Sequence, residues 1–544
     1  MKKDNRSALT RRDFFKGGAI LGAAAVGASI LSSCSPQTSG GDTDTDTSNS
    51  NDAESTSSSY DYSNLKSKSV AGEASQYDFK HINQPLTLGK YELKNRMIKS
   101  CSSGFEFRGS SEVQAEVYRQ YAQGGAAMIV YPVMQVMTSA ADTASLIPII
   151  EAVHETEGVP FFAQVVGEGS ERGGEFDLHA PLGAPIFKVG DTAMMSEGED
   201  AEMMPMMESG PNTMMTTEQV QIKVEAFAQS ANFLKAAGFD GIEINAAAEH
   251  FFDSFLSRFW NRERTDQYGP QSIENRCRIL TEIITRIHEL CGEDFPVGVL
   301  YNGHECNALY PGDDNLCSTV SETREMAKVF EAAGASHLQI RSVMFGNHTS
   351  GFFPDLHFTN GEPDTTYGHF YDIKRYWPEY IAEYGGAGAF LDTAAKIKEV
   401  VSIPVFPVAM QDPRLLPDII DNAIGEGKID AIAMTRRIYA DLEFPNKIVV
   451  GDLSNIRPCT NCTHCLQGAC RVNPAFGRGL GEEMPEGYTP APTASPKKIL
   501  IVGGGPAGLE CAHTAAERGH SVTLYEKSSV WGGLTNTAIA IKGT

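Results

Sequence analysis

The stretch Thr217-Glu218-Gln219-Val220-Gln221-Ile222-Lys223-Val224-Glu225-Ala226-Phe227-Ala228-Gln229-Ser230-Ala231-Asn232-Phe233-Leu234-Lys235-Ala236-Ala237-Gly238-Phe239-Asp240-Gly241-Ile242-Glu243-Ile244-Asn245 holds one structural unit. Val220, Val224, Phe227, Ala228, Ala231 and Leu234 recur at helical spacing, so 217–237 reads as an amphipathic helix. The short apolar run 241–245 then reads as a strand. A second such helix covers 272–290, with Ile279, Leu280, Ile283, Ile284 and Ile287 on one side.

Working outward, short apolar runs at 97–99, 127–131, 161–165, 241–245, 297–301, 337–341, 405–408 and 431–434 alternate with helical patterns. Repeated strand–helix units imply parallel pairing, and eight of them imply a closed barrel. The fold class is therefore α/β: a (β/α)8 barrel, which places chemistry where strands end and loops begin.

Beyond the barrel, four of the eleven cysteines fall within twelve residues, at Cys459, Cys462, Cys465 and Cys470. That density points to a metal. Zinc takes four thiolates, usually from two separated knuckles, whereas an iron-sulfur cluster accepts a close triplet plus a more distant fourth. The spacing leans toward the cluster, with a disulfide pair the third reading.

After a Pro-rich linker at 485–496, the run 498–502 is a strand and Gly503-Gly504-Gly505-Pro506-Ala507-Gly508 is a G-x-G-x-x-G turn. A helix to Gly519, a second strand at 521–525 and the acidic Glu526 complete one dinucleotide-binding βαβ unit. Gly503, Gly505 and Gly508 would admit the pyrophosphate, and Glu526 would meet the ribose. Trp531-Gly532-Gly533 fits the FAD version. One such unit is a small part of a dinucleotide domain, so an incomplete Rossmann-type FAD/NAD(P) domain is expected, from a fragment or a split gene product, with FAD held only once that domain is complete.

The N-terminus carries Thr10-Arg11-Arg12-Asp13-Phe14-Phe15-Lys16 and then an apolar, small-residue run at 17–31. A twin arginine ahead of such a run resembles a Tat export signal. Leu31-Ser32-Ser33-Cys34 looks like a lipoprotein processing site, which would leave Cys34 lipidated and the protein extracytoplasmic at a membrane. Tat transport carries folded proteins, so a cluster and a flavin would be loaded before export. Residues 35–76, mostly Ser, Thr, Asp, Asn and Gly, read as a disordered tether. The expected domains are thus 1–34 signal, 35–76 tether, 77–452 barrel, 453–484 cluster segment, 485–496 linker and 497–544 partial dinucleotide-binding domain.

With 544 residues and 41% hydrophobic content the chain can bury sizeable cores. Its net charge of -24 argues against nucleic acid as a partner.

Several motifs together carry a family resemblance. Leu93-Lys94-Asn95-Arg96-Met97-Ile98, Tyr121-Ala122-Gln123-Gly124-Gly125-Ala126, Ala163-Gln164, the run 237–244 and Arg264-Thr265-Asp266-Gln267-Tyr268-Gly269 resemble the Old Yellow Enzyme family. The cysteines place the chain near its iron-sulfur branch, which contains 2,4-dienoyl-CoA reductase, 2-enoate reductase and trimethylamine dehydrogenase. The resemblance implies FMN, a four-iron four-sulfur cluster and an FAD/NAD(P) domain, in the order the motifs take here. It implies that Cys459, Cys462, Cys465 and Cys470 hold the cluster, although the gap before Cys470 is shorter than the branch's usual pattern.

By the same resemblance, Gln164 would bond the flavin's pyrimidine edge, Ser100 and Cys101 would line the ring, and Thr435, Arg436 and the backbone near Ala409 would hold the phosphate. An ordinary reading stands beside each: Cys101 as an apolar filler, Arg436 as a surface cation. The activity implied is hydride transfer to an activated C=C of a small unsaturated carbonyl or carboxylate. The alternatives are amine dehydrogenation or demethylation, and a non-catalytic lipoprotein or electron relay. The electron donor is expected to be NAD(P)H or a membrane or soluble electron carrier.

Departures from the family pattern cluster at the substrate pocket. Where the family has two oxygen-binding residues and a tyrosine after the fourth strand, this chain has Asn245, Ala248 and His250. Asn245 can still donate to an oxygen, and His250 can act as an acid near neutral pH. Tyr367 or His369, in a long aromatic loop after the sixth strand, is the reserve proton donor. Leu300 replaces the family's arginine after the fifth strand, so either Lys99 or Arg341 supplies the charge or the flavin's reduction potential sits lower. Eight methionines between Met194 and Met215 suggest a pliable lid, or equally a packed loop.

Overall fold

The computed structural model describes residues 76–101, 110–133, 136–166, 215–247, 251–258, 261–307, 317–345, 388, 390–408, 411–459, 465, 470–473, 476 and 491–536. Met194 to Met214, His250, Tyr367, His369, Ala409, Cys462 and the segment around Cys34 lie outside them.

The chain enters through an antiparallel hairpin, β1 (Leu86–Leu88) and β2 (Tyr91–Leu93). The alternation then runs through β3 (Met97–Lys99), α1 (Ser111–Gln123), β4 (Met128–Val133), α2 (Ile147–His154), β5 (Phe161–Val165), α3 (Thr217–Ala237) and β6 (Gly241–Ala246). It continues with α4 (Asp253–Leu256), α5 (Ile273–Cys291), β7 (Val297–Asn307), α6 (Val320–Ala332), β8 (His337–Phe345), α7 (Leu391–Lys398), β9 (Val405–Pro407), α8 (Pro417–Gly425) and β10 (Ile432–Met434). Two short helices, α9 (Arg436–Ala440) and α10 (Phe444–Val449), close it.

The eight strands from β3 to β10 are all parallel, in the order β10-β3-β4-β5-β6-β7-β8-β9. A parallel bridge between Val408 and Ala433 joins β9 to β10 and closes the barrel. Every predicted strand is found, most within two residues of the sequence reading. The exceptions are β7 and β8, which run on to Asn307 and Phe345 because they pair with each other past a bulge between Asn302 and His304.

Local chemistry explains the helix bounds. Thr216 caps α3 with a full capping box to Gln219, and Gly238 ends it at φ 116°, a conformation that only glycine adopts freely. Thr319 and Glu322 form the same box at α6. Ile279, Leu280, Ile283, Ile284 and Ile287 of α5 are all fully buried. Each contributes about 1.5–3 kcal/mol relative to exposure.

Strand alternation sorts the barrel into two layers. Met97, Ile129, Phe161, Ala163, Ile242, Ile244, Val299 and Tyr301 face the helices in the main core. Ile98, Met128, Val130, Phe162, Phe406 and Ala433 form a separate inner cluster with Leu86, Leu88 and Leu93. The hairpin, which the sequence reading did not anticipate, therefore plugs the barrel. It does so at the end where strands begin, since Tyr91 Oη donates to Asp240 Oδ1 at 2.9 Å, just ahead of β6. The opposite end, where strands finish, is left for the site.

Residues 491–536 hold β11 (Lys498–Val502), α11 (Pro506–Glu517) and β12 (Ser521–Tyr525), with the two strands parallel.

Candidate active site at the mouth of the barrel

Parallel strands buried on both faces normally read as continuous apolar runs. Here the inner face carries polar residues near the strand ends, and they are joined. Glu243 on β6 is fully buried. Its Oε1 accepts from Gln164 Nε2 at 2.6 Å, and its Oε2 accepts from Gln339 Nε2 at 2.6 Å and lies 3.2 Å from His337 Nε2. Asn245 Nδ2 donates to Gln164 Oε1 at 3.0 Å, and Ser100 Oγ donates to Gln339 Oε1 at 2.7 Å. Ser100, Gln164 and Asn245, far apart in sequence, thus meet in one network, and all three are buried.

Glu243, Gln339 and His337 were missed by sequence reasoning. The signal was present, since each is a polar residue at an alternate position within an otherwise apolar strand. His337 is fully buried, stacks on Phe406 with ring centroids 5.2 Å apart, and its Nδ1 lies 3.0 Å from Ser336 Oγ. Gly298 makes room for it, because a Cβ there would fall 2.0 Å from His337 Cε1.

Beside this network Ala247 and Leu300 form a small buried apolar cluster of their own, with Val408 packed against it. Next to Leu300, Asn302 Nδ2 donates to Asp253 Oδ1 at 2.9 Å, both residues being buried. Further along β7, burial raises the Glu305 carboxyl above the usual range, opposed by hydrogen bonds from Ser318 and by the charge of Arg276.

Thr435 Oγ1 donates to the Ser100 carbonyl at 2.8 Å and ties the end of β10 to the end of β3. Arg436 is half-buried at the start of α9, whereas Arg437 is buried and its Nε lies 2.9 Å from Asp412. Cys101 packs at the edge of the inner cluster.

The two cations expected to replace the missing arginine separate. Lys99 faces outward, fully buried, with Nζ 5.4, 4.9 and 5.5 Å from the ring centroids of Tyr118, Tyr121 and Tyr439. It does not line the mouth. Arg341 stands two residues beyond Gln339 and in register with Asn302, on the inner face.

A flat heteroaromatic ring with an imide edge needs an apolar slot and polar groups at one side. The donor set fits such a ring: carboxamides and a hydroxyl at Gln164, Asn245 and Ser100, beside the apolar cluster of Ala247, Leu300 and Val408.

The cysteine segment is tied to the barrel at both ends. Arg457 N donates to Asp441 Oδ2 at 2.8 Å, and Asn473 Nδ2 donates to the Tyr439 carbonyl at 2.9 Å. Phe476 stacks on Tyr439 with centroids 4.2 Å apart. Cys459, Cys465 and Cys470 are of intermediate burial, the last two packed against the main core. Soft thiolates in a half-buried setting suit an iron-sulfur cluster. Among the described residues no group of three or more His, Cys, Asp or Glu stands close enough to hold a metal, Cys462 lying outside them.

In the C-terminal unit, Gly503 has φ 107°, and a Cβ on Gly508 would meet the Gly503 carbonyl at 1.9 Å, so strand and helix approach as the motif requires. The Glu526 carboxylate accepts from Gly504 N at 2.6 Å, which sets the acidic residue on the glycine turn. Hydrogen bonds from Ser528 and Gly504 lower its pKa.

Comparison with known proteins agrees with this architecture. Residues 81–305 match the NADH:flavin oxidoreductase / NADH oxidase family, and residues 501–543 match the NAD(P)-binding Rossmann-like domain. The chain is 32% identical to cinnamate reductase of Clostridium sporogenes over 496 residues, covering 84% of this chain and 66% of that protein. It is 34% identical to N,N-dimethylglycine/sarcosine dehydrogenase of Chromohalobacter salexigens over 336 residues, covering 59% of this chain and 42% of that protein. A solved structure of 2-naphthoyl-CoA reductase with 2-naphthoyl-CoA superimposes with a TM-score of 0.63 at 26% identity, covering 84% of this chain and 66% of that one. The chain therefore spans about two thirds or less of the length of these relatives. Through its barrel, the chain belongs to the NADH:flavin oxidoreductase / NADH oxidase family.

Proposed function

We propose that this chain is an FMN-dependent reductase acting on the activated C=C of a small unsaturated carbonyl or carboxylate. The observation that carries the reading is the convergence of Ser100, Gln164 and Asn245 on one buried network at the strand ends. The names of two relatives, cinnamate reductase and 2-naphthoyl-CoA reductase, fit an unsaturated acid or its thioester as substrate.

Bound at the mouth, FMN would supply the hydride. Gln164 and Ser100 would hold its pyrimidine edge, and Ala247, Leu300 and Val408 would face the ring. Cys101 would line the ring beside Ser100. Thr435, Arg436 and the backbone at Ala409 would take the phosphate. Asn245 keeps one amide N–H beyond its bond to Gln164 and would hold the substrate's carbonyl oxygen. His250 would protonate the carbon next to that carbonyl, with Tyr367 or His369 as the alternative donor.

Cys459, Cys462, Cys465 and Cys470 would hold a four-iron four-sulfur cluster that passes electrons between a donor and the barrel. The donor is NAD(P)H, bound with FAD where the turn at Gly503, Gly505, Gly508 and Glu526 forms part of a complete domain, or else a membrane or soluble electron carrier. Export by the Tat route and a lipid on Cys34 would place the protein outside the cytoplasm, and 35–76 would tether it. Replacing Cys34 with serine and fractionating cells tests the anchor, since an unchanged membrane fraction excludes it.

Anaerobic assays of the flavin-loaded protein test the activity. Turnover of enoates with none of methylated amines supports the reductase. The reverse pattern supports an amine dehydrogenase or demethylase, the reading that the similarity to N,N-dimethylglycine/sarcosine dehydrogenase favours. Protein produced in vivo without a flavin spectrum excludes both.

A further inference from the structure

The proposed chemistry gives Glu243 no task, yet a carboxylate buried at the centre of a barrel costs several kcal/mol unless its oxygens are matched. Both are matched, by the Nε2 groups of Gln164 and Gln339 at 2.6 Å each. An ionised carboxylate has no proton to give, so only the N–H end of each carboxamide can face it. Gln164 is thereby held with Oε1 toward Asn245, whose Nδ2 must donate, at 3.0 Å. Asn245 Oδ1 is then turned to the Ala247 N–H, at 3.2 Å. On the other side Gln339 Oε1 can only accept, so Ser100 gives up its single hydroxyl proton, at 2.7 Å. One negative charge sets the direction of four polar side chains.

We infer that Glu243 is a positioning residue that decides which hydrogen-bonding groups the mouth offers its ligand. With Glu243 charged, the Ser100 oxygen is left as an acceptor and the second Nε2–H of Gln164 as a donor. That pair matches an imide edge, where an N–H stands beside a carbonyl. The inference rests on the flavin reading and extends it to a residue that does not touch the ring. His337 and Gly298 serve the same end, since the imidazole fills the space over Gly298 and reaches Glu243 Oε2.

The test is FMN titration of the full chain, with flavin uptake and visible spectrum as readouts, comparing E243Q with E243D. In E243Q the new amide must present its own N–H to Gln164 or to Gln339. One of those carboxamides then reverses and turns Asn245 or Ser100 with it. E243Q is expected to weaken FMN binding by about tenfold and to shift the flavin spectrum. E243D, shorter but still acceptor-only, is expected to stay within about threefold of wild type with an unshifted spectrum.

A residue that merely fills space predicts the opposite order, because glutamine matches the volume of glutamate and aspartate does not. E243D binding FMN more weakly than E243Q, or E243Q matching wild type, overturns the inference. Should E243Q not fold, Q339L cuts only the arm to Ser100: weaker binding with a shifted spectrum supports the inference, and unchanged binding and spectrum overturn it. A wild-type chain that takes up no FMN overturns the flavin reading itself, and this inference with it.

Discussion

Replacing Gly298 with alanine tests the packing that seats His337 against Glu243. An ideal Cβ at this position lies 2.0 Å from His337 Cε1 and 2.1 Å from Nε2. The ring cannot swing away, because it is fully buried, stacked on Phe406 at 5.2 Å and flanked by Phe162 at 5.7 Å. Overpacking of this kind costs about 1–3 kcal/mol. Loss of the hydrogen bond to a buried charge adds about 1.5–3 kcal/mol. The expected sum is about 2.5–6 kcal/mol. At about 2.1 cal/mol/K per residue, a barrel of roughly 370 residues unfolds with an entropy of about 0.8 kcal/mol/K, so Tm should fall by about 3–8 °C. Scanning calorimetry reads this directly. Gly158→Ala is the control: its φ is 75° and nothing lies within 4 Å of the added Cβ, so only backbone strain of about 1–2 kcal/mol applies. If G298A is no more destabilising than G158A, the packing argument fails.

Three further outcomes follow from other contacts. Asp421 on α8 accepts the backbone N–H groups of Lys80, His81 and Ile82 at 2.8, 2.9 and 2.8 Å. D421A should therefore cost about 3–4 kcal/mol in urea unfolding, and D421N less, since it keeps one acceptor. The hydrogen bond that the His154 imidazole donates to the Asp240 carboxylate raises the pKa of His154. Its stabilisation should be fully present below the unfolded value of about 6.5 and lost as pH rises through the higher folded value, and H154Q should flatten that dependence by about 0.5 kcal/mol or less given the exposure of the side chain. Finally, C465S should lower bound iron and acid-labile sulfide in anaerobically purified protein while leaving FMN content unchanged.

The barrel was legible because its signal is repeated: the periodicity of 217–237 matches α3 residue for residue, and each apolar run became a strand. The hairpin at Leu86–Leu88 was not, because three-residue strands carry too little pattern, and their role as a plug depends on the strands they cover. Among site residues, Gln164, Asn245 and Ser100 were readable from the family resemblance. Glu243 and Gln339 were not, because what makes them matter is contact across the barrel between strands roughly a hundred residues apart. Gly298 hid for a similar reason. A glycine inside a strand signals a close approach, but not that the approaching group is His337.

The loss of the family's arginine at Leu300 has a structural counterpart in the two candidates for its charge. Lys99 and Ser100 are neighbours in sequence and face opposite ways. Ser100 enters the network at the mouth, while Lys99 is enclosed by Tyr118, Tyr121 and Tyr439 on the helix side. Tyr439 in turn stacks on Phe476, whose carbonyl accepts from Cys470 N at 3.3 Å. Lys99 is thus engaged with the layer that carries the cysteine segment and cannot serve the mouth without leaving three aromatic faces. Arg341 shares the inner face of β8 with His337 and Gln339, in register with Asn302 two residue pairs beyond the Leu300–Gln339 pair. Of the two cations, Arg341 is the one on the inner face, on the strand that pairs with the one carrying Leu300. Leu300, in the arginine's place, instead joins Ala247 and Val408 in a buried apolar cluster, where an unpaired charge would be costly.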